Sequence, residues 1–203
     1  MPNYEAILFD FDGVLADTEP VHYASWAEIL KDYGVSVDWE EYRKYCIGIA
    51  EVPTAQWLCL QADPPLNFNQ VWAEYPRKQQ LFRRRMLGNP PFSPAVVELV
   101  NSLTDYKLAV VSSSRRLEVE PGLEAAGIRP LFEAVICGDD VESHKPAPEP
   151  YLLAARLLGV KNALVVEDSD AGVASAEAAG FDVIRVQDAA ETPAAVSFAL
   201  SRC

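Results

Sequence analysis

The sequence of 203 residues predicts an α/β fold, in which a parallel sheet carries helices on both faces and a helical segment is inserted after the first strand. Two observations lead to this prediction. After residue 91, short apolar runs alternate with amphipathic stretches that end in glycine, as strands alternating with helices do. Before residue 91, a single apolar run precedes a long stretch with only helical patterns.

The first part of the chain begins with the apolar run Ala6–Phe9, which predicts a buried strand that ends at Asp10. Thr18 suits a helix N-cap, and Gly34 marks the end of that helix. Residues from about 18 to about 85 read as helices. All four tryptophans lie in this segment, which therefore predicts a small helical bundle with its own core: Trp26, Trp39, Trp57 and Trp72.

The second part alternates strand and helix patterns. Strands are predicted at 108–111, 134–137, 163–166 and 183–186. Helices are predicted at 94–103, 117–126, 148–158 and 171–179. Such alternation implies right-handed crossovers and a Rossmann-like parallel sheet. We therefore expect a discontinuous α/β core, 1–16 with 86–203, and a helical cap at 17–85.

The net charge narrows the range of partners. A formal charge of −13 repels nucleic acid and anionic membranes, so neither is expected as a partner.

No apolar stretch approaches the length of a signal peptide or membrane span, and the cysteines form no CxxC pair. We expect a cytoplasmic protein with reduced thiols, as a monomer or a weak dimer. The thiols are Cys46, Cys59, Cys137 and Cys203.

Polar residues follow the strands of the predicted sheet or lie in the loops beyond them. In parallel sheets, ligands bind at the carboxyl ends of the strands. Four acidic side chains, a hydroxyl and an ammonium should therefore converge on one edge of the sheet. These residues are Asp10, Asp12, Ser112, Lys145 and the pair Glu167-Asp168.

The run Asp10-Phe11-Asp12-Gly13 is the sharpest of these signals. Its two carboxylates are two residues apart and can face one site, and Gly13 lets the backbone turn closely past a ligand. Acids after a strand can also simply begin a turn. A calcium-binding loop does not fit, because its glycine should stand where Leu15 is.

Four ordered motifs together resemble those of the haloacid dehalogenase superfamily. They are Asp10-Phe-Asp12-Gly-Val, Ser112, Lys145 in His-Lys-Pro-Ala-Pro-Glu-Pro-Tyr, and Glu167-Asp168-Ser-Asp-Ala-Gly172. The resemblance covers nearly the whole chain, and the helical insertion is similar to the superfamily's type-1 cap. Within the superfamily, the chain is most similar to the β-phosphoglucomutase-like sugar-phosphate phosphatases.

The resemblance implies a role for each motif. Asp10 would attack phosphorus as the nucleophile, and Asp12 would act as general acid and then general base. Ser112 would bind a phosphoryl oxygen, and Lys145 would compensate phosphoryl charge. A helix cap or polar turn is the alternative for the serine run, and it fits Ser113 or Ser114 equally well.

The resemblance also implies a Mg²⁺ cofactor. Asp168 would bind it alongside Asp10 and the backbone carbonyl of Asp12, with Glu167 as a weaker candidate for the same shell. Mg²⁺ prefers oxygen ligands and keeps several waters, so few carboxylates suffice. The alternative for Asp168-Ser169 is a cap on the following helix.

Further candidates concern the substrate. Thr18 and His22 match the family's stretch after the first motif, where His22 resembles a residue that couples cap closure to the acid–base aspartate. Lys78, Ser113 and Arg115 are candidate substrate contacts. A surface histidine is the alternative for His22, and a solvated helix face is the alternative for the basic run at 77–85.

The expected activity is hydrolysis of a small phosphorylated metabolite through an aspartyl-phosphate. A phosphomutase is the nearest rival, but the loop Ile49-Ala50-Glu51-Val52 after Gly48 lacks the arginine that such enzymes carry, and Glu51 would repel a second phosphate. A non-enzymatic phospho-acceptor domain is the remaining alternative. Asp12 separates that class from this chain, because it would make an aspartyl-phosphate turn over quickly.

Overall fold

The computed structural model describes residues 4–47, 49 and 51–201. The chain forms two compact units, Met1–Thr18 with Met86–Cys203, and Glu19–Arg85. The first contains the sheet and the second contains helices only. The sequence predicts a cap at 17–85, whereas the second unit begins at Glu19, and the function of this unit as a cap stays a prediction.

Across the described residues, the sheet is five-stranded and every pairing is parallel, in the order β3-β2-β1-β4-β5. The strands are β1 Ala6–Phe9, β2 Lys107–Val111, β3 Ala134–Ile136, β4 Ala163–Glu167 and β5 Asp182–Arg185. The predicted α/β class is confirmed. The central strand β1 is fully buried on both faces, which explains why its sequence is continuously apolar.

The first unit also contains helices that precede or connect its later strands, and a final helix that follows the last strand. They are α6 Pro94–Ser102, α7 Arg116–Ala125, α8 Glu149–Leu158, α9 Asp170–Ala178 and α10 Thr192–Leu200, with 3₁₀ turns at Arg129–Leu131 and Gly138–Asp140. Side chains of α8 and α9, including Tyr151 and Ala176, pack against alternate residues of the strands such as Leu8 and Val165. This packing fixes the loops at the carboxyl edge of the sheet.

Helix α10 was not predicted from the sequence. Thr192, at its start, is fully buried and donates a hydrogen bond to the carbonyl of Val14 at 2.8 Å. Val14 belongs to the loop that follows β1, so the C-terminal helix helps to hold the loop that carries the first aspartates.

The second unit consists of α1 Glu19–Lys31, α2 Trp39–Cys46, α3 Glu51–Cys59, α4 Phe68–Ala73 and α5 Tyr75–Gly88, although the last three residues of α5 belong to the first unit. It has its own apolar core, built around Trp26, Ile29, Leu30 and Leu58. Burial of such side chains contributes about 1.5–3 kcal/mol each. The predicted aromatic bundle core therefore exists, and Trp39, Trp57 and Trp72 pack at its margin.

The cysteines at 46, 59 and 137 are buried free thiols, whereas Cys203 lies outside the described residues. Burial raises the pKa of Cys46 and of Cys137 to about 12, so these thiols stay protonated.

Among the described residues, no helix combines the length and the apolar character needed to cross a membrane.

Candidate active site

The ammonium of Lys145 joins three strand ends that are far apart in the sequence. It donates to Oδ1 of Asp10 at 2.6 Å, to Oε1 of Glu167 at 2.6 Å and to the carbonyl of Val111 at 2.9 Å. Burial by itself would lower the pKa of Lys145, but the adjacent carboxylates Asp10 and Glu167 outweigh burial and raise it. The lysine therefore stays charged although its side chain is only 5% exposed.

Glu167 is fully buried and accepts five hydrogen bonds. Lys145 and the hydroxyl of Tyr151 donate to Oε1. The N–H of Asp168 and both the N–H and the hydroxyl of Ser169 donate to Oε2, at 3.0–3.1 Å. Burial would raise the pKa of Glu167, but Lys145 and these donors lower it overall. Because both oxygens are occupied, Glu167 is suited to holding Lys145 in place rather than to binding a metal.

Two neighbours of Glu167 show how closely this carboxylate is enclosed. A Cβ at position 172 would overlap the carboxylate, so only glycine fits at this point of α9. The hydroxyl of Ser169 accepts from the N–H of Gly172 at 3.0 Å and so caps the helix. The capping predicted for Asp168-Ser169 is thus performed by Ser169, which leaves the side chain of Asp168 for another role.

Tyr151 was missed as a site residue, although it ends the motif that contains Lys145. Its hydroxyl donates to Glu167 at 2.8 Å, and its ring lies 5.0 Å from the ammonium of Lys145. The sequence does contain a signal for this role, since Tyr151 lies on the apolar face of a predicted helix. A buried tyrosine hydroxyl needs a hydrogen-bond partner, and the neighbouring motifs offer carboxylates.

Asp168 lies next to the first motif. Gly13 has a φ of +73°, and a Cβ there would overlap the carboxylate of Asp168. The glycine of the first motif therefore makes room for an acidic side chain as well as for the turn. Burial, together with Glu167 and Asp12, raises the pKa of Asp168 to about 6.

The carboxylates fit a divalent cation. One oxygen from each of Asp10, Glu167 and Asp168 lies within 4.8 Å of the others. Burial also raises the pKa of Asp10, against the opposing effect of Lys145. Asp12 and Asp168 add two more carboxylates, but the Lys145 ammonium bonds only Asp10 and Glu167. This excess of negative charge and oxygen donors suits Mg²⁺. Asp10 and Asp168 are the side chains that could hold it.

Asp12 is surrounded by hydroxyl groups. Thr18 donates to its Oδ1 at 2.5 Å, while Ser114 and Ser112 donate to its Oδ2 at 2.7 and 3.3 Å. Thr18, predicted as a helix cap and substrate-side residue, thus lies beside the acid–base candidate, directly before α1. The structure places Ser114, which the sequence did not single out, closer to Asp12 than Ser112.

Ser113 and Arg115 are exposed. Within residues 4–47, 49 and 51–201, no hydrogen bond joins their side chains to the acidic cluster, so their roles stay predictions. Arg116 is engaged elsewhere, because its guanidinium bonds Glu120, Asp140 and the carbonyl of Val135.

In the helical unit, His22 and Lys78 belong to one cluster, of which Lys78 is the fully buried member. Lys78 is fully buried and bonds Glu51, and its Nζ lies 2.7 Å from Nδ1 of His22. Trp26 donates its indole N–H to the other oxygen of Glu51 at 2.9 Å. Burial would raise the pKa of Glu51, but His22 and Lys78 outweigh it and bring it to about 2. Glu51 therefore compensates Lys78 directly. His22 also stacks on Phe82, with 4.3 Å between ring centroids, and 17% of its side chain remains exposed.

Other residues of the basic run on α5 are also paired inside the helical unit. Arg77 bonds Asp32, and Arg85 bonds Glu28 at 2.7 Å. Arg83 and Arg84 are exposed. Gly48 and Ala50, which belong to the loop used to weigh the phosphomutase alternative, lie outside the described residues.

The fold and this site define the class of the protein: an α/β enzyme whose acidic and basic side chains meet at the carboxyl edge of a parallel sheet. The chain belongs to the haloacid dehalogenase-like hydrolases, since the model of that family matches residues 7–186. The family predicted from the four motifs is thereby confirmed.

Relatives support the same assignment. The chain is 34% identical to the fructose-1-phosphate phosphatase YqaB of Escherichia coli over 91% of this chain and 97% of the relative. It is 32% identical to a phosphorylated carbohydrates phosphatase of Thermotoga maritima, over 89% of this chain and 83% of the relative. Among solved structures, CbbY from Rhodobacter sphaeroides in complex with phosphate matches with a TM-score of 0.71 and 30% identity, over 90% of this chain and 86% of that one.

Proposed function

We propose that the protein is a magnesium-dependent phosphatase that hydrolyses a small phosphorylated metabolite, a sugar phosphate or similar monoester, through an aspartyl-phosphate on Asp10. One observation carries the proposal: Asp10 accepts a hydrogen bond from Lys145 and lies close to Asp168. Asp12 follows Asp10 two residues later in the chain. This set provides a nucleophile, a fixed positive charge, a metal ligand and an acid–base group at one edge of the sheet.

In the first step, a carboxylate oxygen of Asp10 attacks phosphorus. The bond from oxygen to phosphorus forms as the bond to the leaving alcohol breaks, and Asp12 donates its proton to that alcohol. The ammonium of Lys145 stabilises charge on the phosphoryl oxygens, and Ser112 donates a hydrogen bond to one of them.

In the second step, a water molecule attacks the aspartyl-phosphate. Asp12, now ionised, takes a proton from the water, the bond between phosphorus and Asp10 breaks, and inorganic phosphate leaves. Glu167 takes no part in bond making. Its hydrogen bonds keep Lys145 directed at Asp10 during both steps.

In this proposal, Mg²⁺ would be held by Asp10, Asp168 and the backbone carbonyl of Asp12. When bound, Mg²⁺ supplies positive charge that offsets the repulsion between the carboxylates and the phosphoryl group. An acidic protein of charge −13 needs such compensation to accept an anionic substrate.

We propose the substrate class from two relatives, a fructose-1-phosphate phosphatase and a phosphorylated carbohydrates phosphatase. We propose that the helical unit contributes to substrate selection as a cap, with His22 and Lys78 taking part. The cytoplasm is the proposed location, and a monomer or weak dimer the proposed state, without nucleic-acid or membrane partners.

The cluster around Lys78 argues against a phosphomutase. Such an enzyme must hold a second phosphate, which requires positive charge that is not already compensated. In the helical unit, Lys78 is the candidate for holding a second phosphate, but it is fully buried and paired with Glu51. Phosphatase activity is therefore the better-supported reading.

A panel of phosphate monoesters, assayed for released phosphate with Mg²⁺ and with a chelator, tests the proposal. We expect turnover with Mg²⁺, loss with the chelator, and a decrease of roughly 10³-fold or more for Asp10→Asn. Asp170→Asn is the matched control, because this carboxylate is 91% exposed and pairs with Arg185.

Unchanged turnover by Asp10→Asn would refute the mechanism. A hexose phosphate converted into an isomer would favour the phosphomutase, and a long-lived phosphoprotein would favour a phospho-acceptor domain.

A further inference from the structure

The hydroxyl of Ser114 lies beside the proposed acid–base residue. The resemblance assigns phosphoryl binding to Ser112 and gives Ser114 no catalytic role. In the structure, the Ser114 hydroxyl donates to Oδ2 of Asp12 at 2.7 Å, the usual length for such a bond. Ser112 reaches the same oxygen only at 3.3 Å.

Ser114 is itself held on both sides. Its N–H donates to the hydroxyl oxygen of Ser112 at 3.0 Å, and its carbonyl accepts from the N–H of Gly138 at 2.9 Å. Gly138 lies two residues beyond β3, the strand next to β2, so segments that follow two adjacent strands fix the backbone from which this hydroxyl extends.

The two short hydrogen bonds of Asp12 come from different segments. Thr18 donates to Oδ1, and Ser114 donates to Oδ2. A carboxylate that is bonded at both oxygens has its plane and its rotamer fixed, whereas a single bond leaves rotation about the remaining side-chain torsions. A proton donor must lie within hydrogen-bond reach of the atom that it protonates, so this orientation affects the rate.

We propose that Ser114 is a positioning residue for Asp12, which together with Thr18 fixes the carboxylate for proton transfer. Ser112, whose bond to Asp12 is long, then remains the hydroxyl that binds the phosphoryl oxygen. This inference rests on the proposed function, because it takes Asp12 as the acid–base group.

Two esters with different leaving groups separate positioning from other roles. A sugar alkoxide needs the proton of Asp12 when it leaves, whereas para-nitrophenolate leaves as a stable anion. In pre-steady-state measurements with Mg²⁺, Ser114→Ala should slow the first turnover of the sugar phosphate about tenfold. The nitrophenolate burst should stay within about twofold of wild type. Steady-state turnover of both esters should fall, since Asp12 must also activate water.

Three further variants complete the test. Ser114→Thr keeps the hydroxyl and should restore the first turnover of the sugar phosphate. Ser114→Cys keeps the size but donates weakly, and should behave like alanine. Ser102→Ala is the matched control, because that hydroxyl bonds the carbonyl of Leu99 within α6. Thermal melts of each variant check that the fold is retained.

The outcomes distinguish the two claims. An equal loss in the first turnover of both esters, or a rise in KM with kcat unchanged, would show that Ser114 contacts the substrate or only supports the fold, and would overturn the inference. Unchanged kinetics in Ser114→Ala would overturn it as well. Wild-type protein that releases phosphate from neither ester would instead refute the proposed function, and the inference with it.

Discussion

Replacing Tyr151 by phenylalanine removes the hydroxyl that bonds Glu167 in the candidate active site and keeps the buried ring. The tyrosine is fully buried, and its hydroxyl donates to Oε1 of Glu167 at 2.8 Å. Hydrogen bonds to charged groups contribute about 1.5–3 kcal/mol to stability. Because the phenylalanine ring fills the same space, we expect the free energy of unfolding to fall by about that amount, with no added cavity cost.

Urea unfolding followed by circular dichroism measures this loss of free energy. In a thermal melt, Tm should fall by about 2–4 °C for each kcal/mol lost in a chain of this length. Tyr23→Phe is the matched control. Its hydroxyl donates to a neutral acceptor, the carbonyl of Val37, at 2.8 Å, so its loss should cost only about 1 kcal/mol. Phosphate release by Tyr151→Phe should also decrease, since Glu167 holds Lys145. Equal stability losses in the two variants, or no loss in Tyr151→Phe, would show that the carboxylate of Glu167 does not depend on this bond.

Two other predictions concern the surroundings of buried carboxylates. Gly172→Ala should displace Glu167 and reduce phosphate release about tenfold or more, whereas Gly88→Ala, where a Cβ meets nothing within 4 Å, should leave activity unchanged. Normal turnover by Gly172→Ala would contradict this account of the site. Because the pKa of Glu51 is lowered from 4.5 to about 2, its contribution to stability is complete above about pH 4.5 and is lost as the pH falls toward 2. We expect a loss of about 3 kcal/mol over that range, measured by tryptophan fluorescence during urea unfolding, and a smaller loss in Glu51→Gln. Equal acid sensitivity of the two proteins would contradict the pairing.

The resemblance of four short motifs led to the family and to the central site residues. These motifs lie where a parallel sheet brings its strand ends together, so their order along the chain was enough to predict that Asp10, Lys145 and Asp168 meet. In the structure, Lys145 bonds Asp10 and Glu167. Asp168 offers a carboxylate oxygen within 4.8 Å of oxygens of the same two acids. Their catalytic roles stay predictions that the proposed experiments test.

The C-terminal helix shows a limit of the sequence patterns. Residues 192–200 are small or apolar on all sides, so they give little helical periodicity, and Phe198 is exposed. Thr192 followed by proline was the one local signal of a helix start. The hydrogen bond from Thr192 to the loop after β1 joins residues far apart in the chain, so no local sequence pattern predicts it.

The sequence by itself determined the α/β class, the inserted helical segment and the ordered acidic, hydroxyl and basic positions at strand ends. These features depend on local periodicity and on the rule that parallel strands end at one edge. Only the tertiary structure decided which groups pair: Glu167 with Tyr151, Asp12 with Ser114, and Lys78 with Glu51. Such pairings depend on distances between residues remote in the chain and on burial, which forces each polar group to find a partner.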